Sequence, residues 1–89
     1  MKINDSLSYE NIDGQIVILN EKDEAFGDSK ALILNNSATF IFECLQEGLD
    51  GNVIVKKMIE NFGICELTAK TDLTKCLEIF INKRILVND

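Results

Sequence analysis

Apolar residues recur along this chain with two different spacings, and the spacing changes near residue 36. Before that point, short β-forming segments are separated by turn residues, whereas beyond it apolar residues recur every three or four positions. The change predicts strands in the first part of the chain and helices in the rest. The expected fold class is therefore α+β, with a three-stranded antiparallel sheet followed by three helices.

The clearest strand signal is the pair Asp13-Gly14, which separates two β-forming segments at 7–12 and 15–20. Both central residues of a type I′ turn need positive φ, and Asp-Gly is a favoured pair there, so the two segments are predicted to form a hairpin. Apolar residues alternate on both sides of the second strand, which predicts a central strand covered on both faces: Ile16 and Ile18 on one side, Val17 and Leu19 on the other.

A third strand over about 30–35 completes the sheet. The connection before it, 21–29, is acidic and is interpreted as a solvated loop rather than a calcium site, because its carboxylates lack the alternating positions of a calcium loop. Its one bulky apolar residue, Phe26, is expected to fold back onto the sheet. Residues 1–6 are polar and are expected to be flexible. A three-stranded sheet has two edges, and each carries unpaired backbone groups.

Three helices are predicted after the asparagine-rich corner at residues 35–37. The first covers about 36–47, with Asn35 or Asn36 as its cap and Gly48 as its end. The second covers about 53–62, with Asn52 as its cap and Gly63 as its end. A β-branched run opens this second segment, but the helical spacing that follows favours a helix.

The third helix is predicted to run from a Thr68 cap to about Arg84. A helical wheel assigns one arc to the core, namely Ala69, Leu73, Cys76, Leu77 and Phe80. One flank of that arc carries Asp72, Ile79 and Lys83, and the other carries Ile81. The short apolar segment at 85–87 is expected to pack back onto the fold or to add a minor strand.

Composition limits the range of functions. The chain has 89 residues, a hydrophobic fraction of 46%, a net charge of −6 and no histidine. This length fits one domain, 1–89, with one core. The acidic balance argues against nucleic-acid binding, which depends on neutralising phosphates. The three cysteines include no CxxC pair, which predicts neither a zinc site nor disulfides, so we expect buried thiols. The sequence shows no signal peptide or membrane span, and we expect a cytoplasmic protein.

No catalytic or cofactor-binding pattern is present. The glycines are scattered as turn and helix-end residues rather than grouped in a phosphate-binding loop, and no serine, threonine or cysteine has a histidine to activate it. The sequence therefore predicts a protein that is not an enzyme and that needs no cofactor or metal.

Three groups of residues resemble the PqqD-like family of small winged helix-turn-helix-like domains. These domains are recognition elements for precursors of ribosomally synthesised and post-translationally modified peptides (RiPPs). The resemblance covers about residues 12–87 and depends on the order and spacing of apolar positions. The first group surrounds the strand-to-helix corner: Leu34-Asn35, Ser37-Ala38, Ile41-Phe42 and Leu45. The second and third lie in the later helices: Gly48, Ile54, Ile59 and Phe62, then Asp72-Leu73, Leu77, Phe80 and Leu86.

This resemblance implies a peptide-binding function in natural-product biosynthesis. The family binds the leader segment of a precursor peptide and presents the rest to a modifying enzyme, such as a radical SAM maturase or a lasso-peptide protease. The leader adds as a strand to the third strand and lies against the third helix. The peptide-binding residues expected here are Lys30, Ala31, Leu32, Ile33, Leu34, Asp72, Lys75, Cys76, Ile79 and Lys83.

Each of these residues also has a purely structural interpretation. Alternate residues of the third strand must pack on the helices whatever the function, and Cys76 favours the core. Ile79 fits a peptide contact and a seal at the sheet edge equally well. The lysines are ordinary solvated side chains unless they meet a partner, and an exposed charge pair contributes under about 1 kcal/mol.

Two other functions remain open. A winged-helix DNA-binding domain has similar architecture, but the third helix mixes lysines with Asp72 and Glu78 and carries no basic stripe. A structural module that associates through the same open strand edge is the second alternative.

Overall fold

The computed structural model describes residues 2–19 and 31–88, which form five strands and three helices within those ranges. The fold is α+β, with a three-stranded antiparallel sheet followed by three helices, as predicted. The elements are β1 Lys2–Ile3, β2 Ser8–Ile12, β3 Gln15–Leu19, β4 Ala31–Ile33, α1 Asn36–Gln46, α2 Gly51–Phe62, α3 Glu66–Asn82 and β5 Leu86–Val87.

The predicted hairpin is confirmed. Asp13 and Gly14 connect β2 to β3 with φ values of 52° and 86°, the positive values that a type I′ turn requires. The Asn11 side chain accepts a hydrogen bond from the Gly14 amide at 3.0 Å, which closes the turn. The predicted third strand is β4, and the strand order is β2-β3-β4.

β3 is central, as predicted, but among the described residues only one of its faces is fully buried. Ile16 and Ile18 are 2% and 0% exposed, whereas Val17 is half-buried and Leu19 is 39% exposed. The prediction of burial on both faces is therefore wrong. The helices pack on one face of the sheet, and the apolar residues of the other face stay accessible in the described part of the chain.

The C-terminal ends of α1 and α2 were predicted correctly from their glycines, whereas the N-terminal caps were predicted only in part. Gly48 and Gly63 adopt φ values of 80° and 63° after α1 and α2, as the C-terminal αL position favours. Asn35 caps α1 by accepting from the Ala38 amide at 2.8 Å. Asp50 caps α2 instead of the predicted Asn52, because helical geometry starts two residues earlier.

The start of α3 also differs from the prediction. Its N-cap is Cys65, and Thr68 lies inside the helix. The two side chains contact each other, with Cys65 Sγ 3.2 Å from Thr68 Oγ1. The helix ends at Asn82, two residues before the predicted end.

One hydrophobic core joins the sheet to the helices. Edge-to-face aromatic contacts lead from its surface to its centre, from the 39% exposed Tyr9 on β2 to Phe42 on α1 at 5.0 Å, and from Phe42 to Phe80 on α3 at 6.3 Å. Phe42 and Phe80 are 0% and 1% exposed. These contacts fix the position of α3 relative to the sheet.

The N-terminal residues, which we expected to be flexible, form a second small sheet. β1 pairs with β5 in antiparallel register, and the Asn4 amide donates to the Ile85 carbonyl at 2.9 Å. The minor strand predicted at 85–87 is present as β5, but its partner β1 was not predicted, because a two-residue strand is too short to leave a periodic pattern in the sequence. The acidic loop with Phe26 lies outside the described residues.

Candidate functional site

β4 leaves one edge of the sheet open beside α3. The Leu34 amide donates to the Ile16 carbonyl at 2.9 Å, which fixes the hydrogen-bonding phase between β4 and β3. Residues along an antiparallel pair alternate between those that exchange hydrogen bonds and those that do not. Leu32 therefore directs its backbone groups to β3, whereas Ala31 and Ile33 direct theirs to the open side. No strand among the described residues pairs with that side.

Thr39 anchors the end of this edge strand to α1. Its hydroxyl donates to the Leu34 carbonyl at 3.2 Å and accepts from the Ile16 amide at 3.1 Å. The side chain is only 4% exposed, so a buried hydroxyl satisfies two backbone groups where the ladder between β3 and β4 ends. This role of Thr39 was not predicted, because its only signal in the sequence is a hydroxyl residue in the first turn of an apolar helix.

A groove of about 360 Å³ lies between β4, the corner that follows it and α3. Its deep wall consists of Leu34, Ile41 and Phe80, which are 4%, 0% and 1% exposed. Its outer wall includes Ile79, which is 52% exposed. The lining residues are Leu32, Ile33, Leu34, Asn35, Ser37, Ala38, Ile41, Asp72, Lys75, Cys76, Ile79 and Phe80.

Most of the predicted peptide-binding residues meet at this groove. Those that line it are Leu32, Ile33, Leu34, Asp72, Lys75, Cys76 and Ile79. Ala31 belongs to β4 and Lys83 is the C-terminal cap of α3, and neither is part of the lining. Lys30 lies outside the described residues. The sequence analysis assigned Asn35, Ser37, Ala38, Ile41 and Phe80 only to the framework, yet they also line the groove.

The two charged residues of the groove have no partner in the described part of the chain. Asp72 and Lys75 are one helical turn apart on α3, and neither side chain makes a hydrogen bond or an ion pair with another described residue. Lys70 on the same helix differs, because it pairs with Glu66 at 2.9 Å. Asp72 and Lys75 therefore offer one acceptor and one donor to a ligand in an otherwise mainly apolar groove.

Cys76 contributes an uncharged side chain to the lining of the groove. Burial raises the pKa of its thiol to about 12, so the thiol stays protonated near neutral pH. Cys65 contrasts with Cys76, because its thiol is exposed rather than buried as predicted, and hydrogen bonding to Thr68 lowers the pKa of that thiol. The groove cysteine behaves as a small hydrophobic residue rather than as a nucleophile.

This difference predicts selective alkylation. At about pH 8, the thiolate fraction of Cys76 is roughly 1000-fold below that of an ordinary cysteine, and the thiolate is the reactive form. Iodoacetamide is therefore expected to modify Cys65 long before Cys76 in the folded protein, as followed by peptide mass spectrometry. The difference should disappear in denaturant, and equal rates in the folded protein would contradict the burial of Cys76.

Metal binding and membrane insertion find no support in the described ranges. Within residues 2–19 and 31–88, no group of three or more His, Cys, Asp or Glu side chains is placed to hold a metal ion. No helix in those ranges has the length and apolar character needed to cross a membrane.

Comparison with known proteins gives one informative likeness. No family model and no curated protein matches this chain, so the PqqD-like assignment stays a prediction. A solved structure described as TbiB1 in complex with the TbiA(beta) leader peptide is similar over 100% of both chains, with a TM-score of 0.81 and 25% sequence identity. This chain therefore shares its entire fold with a protein that was solved bound to a leader peptide.

Proposed function

We propose that this protein binds the leader segment of a ribosomally synthesised precursor peptide by adding it as a strand to β4. The main support is that Ala31 and Ile33 direct their unpaired backbone groups to the open edge of β4, beside the groove between β4 and α3. In strand addition, main-chain hydrogen bonds supply affinity and pockets for alternate side chains supply specificity. The likeness to a leader-peptide complex supports the same conclusion.

The geometry defines what each part of the groove contributes. A leader strand on β4 would direct alternate side chains toward Leu34, Ile41 and Phe80, which offer an apolar surface. Asp72 and Lys75 would meet polar or charged groups of the leader at the rim. In this proposal the protein holds the leader while a separate enzyme modifies the rest of the precursor.

The proposal extends to the partner and the compartment. The modifying enzyme is expected to be of the radical SAM or lasso-peptide type, as the family resemblance implies. Binding would take place in the cytoplasm, where the ribosome releases the precursor. A gene for a short peptide beside a gene for such an enzyme, next to the gene for this chain, would identify both partners.

DNA binding is the weaker alternative. A winged-helix domain would insert α3 into the major groove and neutralise phosphates with basic side chains. On α3, Lys70 is already paired with Glu66, and Lys75 lies one turn from Asp72. A net charge of −6 disfavours such binding, because the phosphates of DNA would meet an acidic protein.

The direct test is titration of the labelled leader, taken from the adjoining precursor gene, into this protein. Saturable binding with a dissociation constant in the micromolar range or tighter is expected. Absence of saturation below high-micromolar concentrations, with the correct leader in hand, would contradict the proposal. A size-exclusion profile that shows a stable dimer undisturbed by the leader would instead favour a structural module.

A further inference from the structure

Ile33 lines the groove at the open edge of β4, but strand alternation directs its side chain to the face of the sheet opposite the side chains of Leu32 and Leu34. Ile33 is directly opposite Val17 in the register and is 64% exposed, whereas its neighbour Leu32 is opposite the fully buried Ile18. Successive residues of a strand point to opposite faces, and directly paired residues share a face. The open edge of β4 therefore has an apolar residue on each face.

The backbone of Ile33 is also the point at which an added strand must pair. Its amide and carbonyl face the open side, because the bond from the Leu34 amide to the Ile16 carbonyl fixes the phase. The leader residue opposite Ile33 would place its side chain beside Ile33 and Val17. Its two neighbours would point into the groove, toward Leu32, Leu34 and α3. This geometry is the same for a parallel and an antiparallel leader strand.

We infer that Ile33 is a specificity-determining residue whose side chain contacts the leader on the outer face of the sheet, so that the preferred leader carries three consecutive apolar residues rather than an alternating pattern. The outer two residues enter the groove, and the middle residue packs on Ile33. This inference rests on the proposed function, since it concerns the same leader strand. The expected ligand is an extended peptide segment of uncharged, apolar residues.

The chain offers a matched control for Ile33. Ile12 lies on the same outer face, because Ile12 pairs with Gln15 and Gln15 alternates with Val17. It is 50% exposed, close to the value for Ile33, but it belongs to β2 at the other edge of the sheet. A charge at either position meets solvent in the free protein, so both variants are expected to fold.

The experiment is selection from a phage-displayed library of random short peptides on three immobilised proteins: wild type, Ile33→Glu and Ile12→Glu. Wild type and Ile12→Glu are expected to select the same apolar run. Ile33→Glu should keep the two flanking apolar positions and change the middle one to Lys or Arg. It should also bind the wild-type peptide about two- to fivefold more weakly, the size of one cross-strand pair, and a Lys in the middle of that peptide should restore binding.

The outcomes separate this inference from the proposed function. If wild type selects a motif whose middle position is unaffected by Ile33→Glu, Ile33 does not read the leader, and strand binding itself survives. If wild type enriches no motif, both the proposed function and this inference fail. Thermal melts followed by circular dichroism confirm that both variants are folded before selection.

Discussion

Ile79→Asp is expected to weaken leader binding by about tenfold or more, a loss of roughly 1.4 kcal/mol, while the domain remains folded. Ile79 lines the groove and is 52% exposed, so a bound leader would cover an apolar side chain that the fold itself leaves in water. A carboxylate there would have to be desolvated without a partner, and Asp72 lines the same groove. The measurement is the dissociation constant of the labelled leader.

Ile81→Asp is the matched control for this substitution. Ile81 lies on the same helix, is 42% exposed and does not line the groove. Its replacement should leave both leader affinity and folding nearly unchanged. Equal weakening by the two variants would mean that charge on α3 acts nonspecifically. Unfolding by Ile79→Asp alone would mean that Ile79 supports the core.

Phe42→Ala is expected to cost about 3–5 kcal/mol of unfolding free energy, as is typical for a buried Phe. Phe42 is 0% exposed and contacts Tyr9 and Phe80 edge to face, so its removal leaves a cavity and breaks the connection between sheet and helices. A domain of this size has only about 5–15 kcal/mol of net stability. Urea denaturation followed by circular dichroism measures the loss.

Phe62→Ala supplies the comparison. Phe62 is 38% exposed and makes one edge-to-face contact, with Phe40 at 5.3 Å. Its removal forfeits that contact, typically about 0.5–1.5 kcal/mol, together with some partly buried area. If the two variants lost similar stability, the aromatic series through Phe42 would not be the centre of the core.

The sequence predicted those parts of the fold that depend on local chemistry. Asp13-Gly14 specified the hairpin turn, and Gly48 and Gly63 specified helix ends, because each needs a backbone conformation that few residues adopt. The cap of α2 was misassigned, since Asp50 and Asn52 are both good caps and the choice depends on where helical geometry starts. Local preference alone does not separate two such residues.

The parts that were missed depend on tertiary structure. The outer face of β3 looked buried because Val17 and Leu19 are apolar, and a sequence does not reveal how many layers cover a sheet. The family resemblance implied a groove against α3, and the helical wheel added Ile79 on one flank as a candidate contact. The angle between β4 and α1 determines two features that the sequence did not predict. These are the hydrogen bonds of Thr39 and the contribution of Asn35, Ser37 and Ala38 to the wall of the groove.

Amide hydrogen exchange, measured by NMR with and without the leader, tests strand addition to β4 most directly. The Ala31 and Ile33 amides face the open edge and should exchange more slowly when the leader is bound. The Tyr9 amide likewise points away from β3, toward the open edge of β2, and its exchange rate should not change when the leader binds. If leader binding leaves the Ile33 amide unprotected while groove side chains respond, the leader binds without pairing to β4, and the central claim is wrong.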